Sequence, residues 1–134
     1  EAERDFQQVM ETMRGEKVDV AFFPVDPRLG MMFDAGPNYF AMVVKPRLMI
    51  PMHFWERAEV IREYARRSRS PQTEIIAMTT PGDMILLEFD EQENMTVHMQ
   101  SVTSAPVARN KKVQLEAYDG ENPFNDSDLP VDME

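Results

Sequence analysis

The chain contains two histidines, and their settings differ. His53 follows the apolar run Leu48-Met49-Ile50 through Pro51-Met52 and precedes Phe54-Trp55 and a helical pattern. A side chain delivered from a strand end to a helix start meets free N–H groups and partial positive charge. These suit an anionic substrate or a metal-bound oxyanion. The local pattern leaves two readings of His53 open: a ligating or catalytic imidazole, or a packed loop histidine. His98 falls on the polar side of the Met95, Val97, Met99 alternation and reads as exposed and idle. Asp26, between Val25 and Pro27 at another strand end, is either a carboxylate that orients a neighbouring ligand or a turn residue. The twelve methionines fall largely at core-type positions and read as irregular core filling rather than a soft-metal site.

Composition narrows the classes further. The 134 residues are 43% hydrophobic and 28% charged, the balance of a globular domain. A net charge of −10 argues against a general nucleic-acid binder. The absence of cysteine excludes disulfides and thiolate metal sites and fits a reducing, cytoplasmic compartment. No apolar run approaches the ~18–20 residues of a membrane span, and no signal-peptide pattern opens the chain. GxGxxG, GxxxxGK[ST], HExxH and GxSxG are all missing. One histidine falls short of the roughly three protein ligands that a zinc site needs.

The elements that must position these residues follow from periodicity. Residues 2–13 read as a helix closed at Gly15, and Val18–Phe23 as a buried parallel strand. After a turn at Asp26–Gly30, Asp34 is the expected N-cap of a helix to about Lys45. Leu48–Ile50 reads as a second buried strand, and Trp55–Arg67 as a helix with acids early and Arg62, Arg66, Arg67 and Arg69 late. Thr73–Thr79 and Met84–Phe89 are expected to form a hairpin about Pro81-Gly82-Asp83, with Asn94–Met99 an outer strand. This order predicts an α/β layered fold with right-handed crossovers. The parallel strands should end together at Asp26, His53 and Pro81. Residues 1–100 form the folded unit in this reading, and residues 101–134 a weakly structured tail. Seven acids and no lysine or arginine lie between Val113 and Glu134.

The segment Val18-Asp19-Val20-Ala21-Phe22-Phe23-Pro24-Val25-Asp26-Pro27-Arg28-Leu29-Gly30, with Asp34-Ala35-Gly36 and Tyr39-Phe40, resembles the second half of metallo-β-lactamase-fold hydrolases. The nearest kind is the metal-dependent subgroup related to ascorbate-6-phosphate lactonases. Lys45-Pro46-Arg47-Leu48-Met49-Ile50-Pro51-Met52-His53-Phe54-Trp55 is similar to that family's last metal-ligand motif, a strand delivering a histidine through Pro-Met-His-Phe. The matches cover roughly residues 1–88.

The resemblance implies the C-terminal half of an αββα sandwich, and the abrupt helical start of the chain reads the same way. His53 would be a ligand to a divalent metal, zinc or manganese. The other family ligands, His-x-His-x-Asp-His among them, belong to the first half and are not in this sequence. Phe54 and Trp55 would wall the substrate pocket, with Asp26 orienting a ligand behind them. The implied reaction is hydrolysis of a lactone, ester, amide or phosphoester by metal-activated hydroxide, on a small and anionic substrate. The fragment alone would be inactive. Its partner would be the N-terminal half of the same fold or a second copy, because one sheet face would otherwise lie open. The rival reading is a non-catalytic α/β binding or assembly module without metal.

Overall fold

A computed structural model describes residues 1–68, 70–102 and 108–109. Three parallel strands form the centre: β1 (Val20–Pro24), β2 (Leu48–Met52) and β3 (Glu74–Ala77), with a short antiparallel β6 (Ala108–Arg109) in the order β1-β2-β3-β6. Val20 pairs with Leu48 and Pro24 with Met52, and Leu48 pairs onward with Glu74. β2 is short and apolar on both faces, as a strand buried in a parallel sheet is. β1, expected to be buried, is instead the sheet's edge and leaves Phe22 exposed.

Three helices line one face: α1 (Ala2–Glu11), α2 (Ala35–Val44) and α3 (Ala58–Arg67). Their apolar sides meet the sheet in one core that contains Val25, Phe40, Val43, Met49, Ile61 and Ile75. Phe23 stacks on Phe40 with ring centroids 4.5 Å apart. Helix α2 ends at Lys45 in the left-handed conformation (φ 55°), and Pro46 prevents its continuation. Between β1 and α2 runs a 3-10 segment, Pro27–Met32, kinked at Gly30. Its φ of 58° and ψ of −127° suit a residue without Cβ.

The other face is where expectation and structure part. Thr73–Thr79 and Met84–Phe89 do not form a hairpin together. β3 is held in the parallel sheet by β2 and β6, whereas β4 (Met84–Phe89) pairs with β5 (Met95–Gln100) in a separate two-stranded sheet. A turn does form at Pro81-Gly82-Asp83, closed by the Asp83 N–H donating to the Thr80 carbonyl at 3.0 Å, but it carries the chain from one sheet to the other. The tight turn is at Asp90–Asn94, where Asp90 Oδ1 accepts from the Gln92 and Asn94 N–H groups at 2.9 and 2.8 Å. This hairpin lies over the face that was expected to be open. Ile85, Leu87, Met95, Val97 and Met99 cover Leu48, Ile50 and Ile76, which are 0%, 7% and 0% exposed. Alternation explains it, since each hairpin strand turns one apolar side inward. Lys17 bonds Glu93, and Arg47 Nη1 donates to the Glu93 carbonyl at 2.7 Å, which ties the hairpin tip to the start of β1 and β2.

Three smaller differences concern ends. α3 starts at Ala58, not Trp55, because His53 and Trp55 take positive φ. Asp34 occupies the N-cap position of α2, but its side chain makes no capping bond. β6 lies beyond residue 100, so the folded part extends past the expected boundary. The acidic run Val113–Glu134, Arg69 and most of residues 101–134 lie outside the described residues.

Asp34 is instead buried, 2% exposed, at the start of α2. Its Oδ2 and the Oδ1 of Asn38 have no hydrogen-bond partner among the described residues. Burial lifts the Asp34 carboxyl above its ordinary range, only partly offset by its own backbone N–H, the Arg67 charge and the Asn38 amide. The Tyr64 hydroxyl, also buried and facing Asp34, is raised well above its ordinary value.

Two expectations follow. A raised folded-state pKa means that the native chain holds this proton more tightly than the unfolded chain. The contribution is therefore full below the unfolded carboxyl range and is lost as pH rises through the folded value. Asp34→Asn keeps the shape and removes the charge, so melting curves at pH 7 should show a gain on the order of 1 kcal/mol and a flatter pH dependence. Conversely, Leu87→Ala with Val97→Ala should cost roughly 2–4 kcal/mol and increase ANS fluorescence by uncovering β2 and β3. Thermal denaturation with dye binding reads both.

Candidate functional site

The carboxyl ends of β1 and β2 lie side by side, since Pro24 pairs with Met52 and the Val25 N–H donates to the Met52 carbonyl at 2.9 Å. Asp26 and His53 leave the sheet from these two ends. The chain then makes an unusual turn. His53 has φ 59° and Trp55 φ 55°, a left-handed conformation that costs a non-glycine residue about 1 kcal/mol or more. Phe54 anchors the turn by packing against the helix-side core. The Arg57 N–H closes it by donating to the Phe54 carbonyl at 2.9 Å. His53 and Trp55 are left exposed on either side of Phe54, with their rings edge to face at 6.3 Å.

Trp55 is held from the β1 side. Asp26 receives the Arg28 backbone N–H at 2.9 Å and grips its guanidinium through Nε at 3.0 Å and Nη2 at 2.7 Å. The guanidinium then lies over the Trp55 ring, 4.3 Å from its centroid. One carboxylate therefore fixes the cation, and the cation covers the indole. The Arg28 bond is the main reason that the Asp26 carboxyl is lowered to about 2. Beside this stack opens a cleft of about 550 Å³ lined by Pro27, Arg28, Trp55, Glu56 and Arg57.

The expected site residues are thus distributed as follows. Trp55 lines the cleft, Asp26 supports it from below, His53 stands at its flank, and Phe54 points into the core rather than the cleft. The third strand end is not part of it: the Thr79 hydroxyl is bonded by Arg62 at 2.9 Å, and Asp83 receives the Thr80 N–H at 3.2 Å. His98 is exposed, as expected, but not idle, since its Nε2 lies 2.7 Å from Glu88 Oε2. Arg28, Glu56 and Arg57 were not singled out from the sequence. The one available signal was the i, i+2 spacing of Asp26 and Arg28 across a proline, a local fork.

Among the described residues, no group of three His, Asp or Glu side chains could hold a metal ion. The residues present therefore do not make up the donor set that the family resemblance implies, and His53 is one donor among several required. No helix among the described residues is long and apolar enough to cross a membrane.

Trp55 is the chain's single tryptophan, so its emission reports on this cluster directly. With Asp26 lowered to about 2, the Asp26–Arg28–Trp55 arrangement is complete above the ordinary carboxyl range and is lost as pH falls through about 2. In a His53→Ala background, which removes the neighbouring imidazole, Trp55 fluorescence should stay constant from neutral pH to about pH 4. Asp26→Asn at neutral pH should shift it at once, with helix content by circular dichroism unchanged. An unaltered Asp26→Asn spectrum would mean that the carboxylate does not hold the stack. No family model, no curated protein and no solved structure matches this chain.

Proposed function

We propose that this chain forms one side of a metal-dependent hydrolase site, as the C-terminal half of a metallo-β-lactamase-type αββα sandwich. His53 donates one imidazole nitrogen to a divalent metal, zinc or manganese, whose other ligands come from the N-terminal half of the fold. The substrate is a small lactone, ester, amide or phosphoester with an anionic group. The observation that carries this reading is the placement of His53. It is held exposed on left-handed backbone at the carboxyl end of the central strand, 6.3 Å from a tryptophan that lines a cleft. Strained backbone of this kind persists where the surroundings over-determine it, often at binding sites. Arg28 and Arg57 line the cleft beside Glu56, each already paired with a carboxylate, Arg57 with Glu59 at 3.0 Å, so support for an anionic ligand comes from Arg28 alone. Asp26 occupies Nε and Nη2 of Arg28, and its Nη1 has no partner among the described residues.

A second reading, a binding or assembly module without metal, is favoured by one specific observation. The β4–β5 hairpin covers the sheet face that a sandwich would turn toward its other half. The two readings differ at His53.

With one imidazole as donor, the chain by itself should bind zinc or manganese no tighter than about micromolar and should not hydrolyse lactones. Titration calorimetry and a lactone panel check this. Because there are only two histidines, NMR of their ring protons during a zinc titration separates the readings. The hydrolase reading expects shifts at His53 that vanish in His53→Ala and survive in His98→Ala. Shifts confined to His98, which already has Glu88 at 2.7 Å, would favour the module without a metal role.

A further inference from the structure

The β4–β5 hairpin has two backbone edges, and they are not equally protected. The Asp90 N–H donates to the Asn94 carbonyl at 3.1 Å, which sets the alternation of bonds along the hairpin. Glu88 with Thr96, Leu86 with His98 and Met84 with Gln100 are therefore the hydrogen-bonded pairs. Met95, Val97 and Met99 turn their N–H and C=O groups to the outer edge of β5. No strand among the described residues pairs there. The side chains of these three residues already pack inward onto Leu48, Ile50 and Ile76. The edge is a row of free donors and acceptors whose side chains are engaged elsewhere.

Strand edges are normally blunted by charge, proline or shortness. The other edges among the described residues show these devices. β1 ends at Pro24 and lies between Asp19 and Asp26. β4 carries Glu88 within it and lies between Asp83 and Asp90, and β6 is two residues long. β5 has none of them. Met95–Gln100 is six residues without a carboxylate, lysine, arginine or proline, in a chain of net charge −10. Charge therefore singles out β5 as the edge along which two copies of this acidic chain can meet without setting carboxylates against each other.

The register of β5 is self-complementary. About a twofold axis at Val97, Val97 meets the partner's Val97 and Met95 meets the partner's Met99. Each such antiparallel pair exchanges two bonds, about six in all. On the exposed face, Thr96 falls beside the partner's His98 and Gln100 beside the partner's Asn94, so no like charges oppose. A shift of two residues is worse either way. It sets Met99 against the partner's Glu93, in the turn at φ 64°, or Met95 against the partner's Ser101, beyond the strand.

We infer that two copies of this chain join antiparallel along Met95–Gln100, about a twofold axis at Val97, and fuse their hairpins into one continuous sheet. This is strand addition with a second copy as the partner, in which main-chain bonds give affinity. The inference does not depend on His53, on the cleft or on any metal.

The test is sedimentation equilibrium of the full chain over a concentration series, with hydrogen exchange by NMR at both ends of the series. The expected result is a monomer–dimer equilibrium in which the Met95, Val97 and Met99 amides exchange roughly tenfold or more slowly in the dimer. The Thr96 and His98 amides bond within the hairpin and should be protected in both states. Thr96→Lys combined with His98→Lys opposes ammonium groups across the join and leaves the inner packing alone, so it should give a monomer with unchanged circular dichroism. Val97→Pro removes the central outward donor and should do the same; if either variant does not fold, the other decides. A chain that stays monomeric up to about millimolar concentration overturns the inference. So does a dimer whose three amides exchange at the monomer's rate, or one that survives the substitutions. Protection of those amides in the monomer also overturns it, since another segment of the chain would then cover the edge.

Discussion

Burial of β2 on both of its faces is the constraint on which the rest of this structure depends. Leu48 and Met49 are fully buried although adjacent, and adjacent strand residues point to opposite sides. A strand of this kind needs two covers and two neighbours. Helices α2 and α3 supply one cover, the β4–β5 hairpin the other, and β1 and β3 the hydrogen-bonding neighbours. At about 25 cal/mol per Å², apolar burial is the largest favourable contribution available to a chain of this size. The hairpin is held in register over β2 by polar contacts at both ends: Lys17 and Arg47 to Glu93 at its tip, and Asp83 to Ser101 and Val102 at its base.

Rigidity at β2 is also what makes the turn after it possible. A left-handed histidine and a left-handed tryptophan separated by one residue would not persist in an isolated peptide. Here the turn starts from a fixed strand, is pinned by Phe54 in the core and leads into α3, whose inner face is buried. Asp26 completes the constraint from the neighbouring strand by holding Arg28 against the indole. Arg28 is exposed while the Asp26 side chain is largely covered, and the two-pronged geometry of their ion pair fixes direction as much as it adds stability. That direction sets the wall of the cleft.

Asp34 and Tyr64 show the opposite balance. Both are buried, and one carboxylate oxygen is left without a hydrogen-bond partner among the described residues, an arrangement that lowers stability. The pair sits where α2 begins, immediately after the 3-10 segment that carries Arg28. It is therefore placed to affect how that segment is seated, although it takes no part in the cleft.

The sequence by itself determined what local rules control. Helix spacing gave α1, α2 and α3 within a few residues. Continuous apolar runs ending in proline marked β1 and β2 as parallel strands, and the strand-end rule placed Asp26 and His53 on one edge. β2 is buried as expected, whereas β1 is an edge strand with Phe22 exposed. Tertiary structure alone decided which strands pair and what covers the second face. β3 and β4 both carry strand patterns and lie either side of a good turn, yet β3 satisfies its backbone in the parallel sheet and leaves β4 to β5. Pairing is a competition among distant partners, and no single segment encodes its outcome. The same holds for the cleft. Arg57 and Glu56 enter it, and Phe54 leaves it, because His53 and Trp55 take left-handed backbone. That conformation is imposed by the packing on either side of the turn and is not one that those residue types favour.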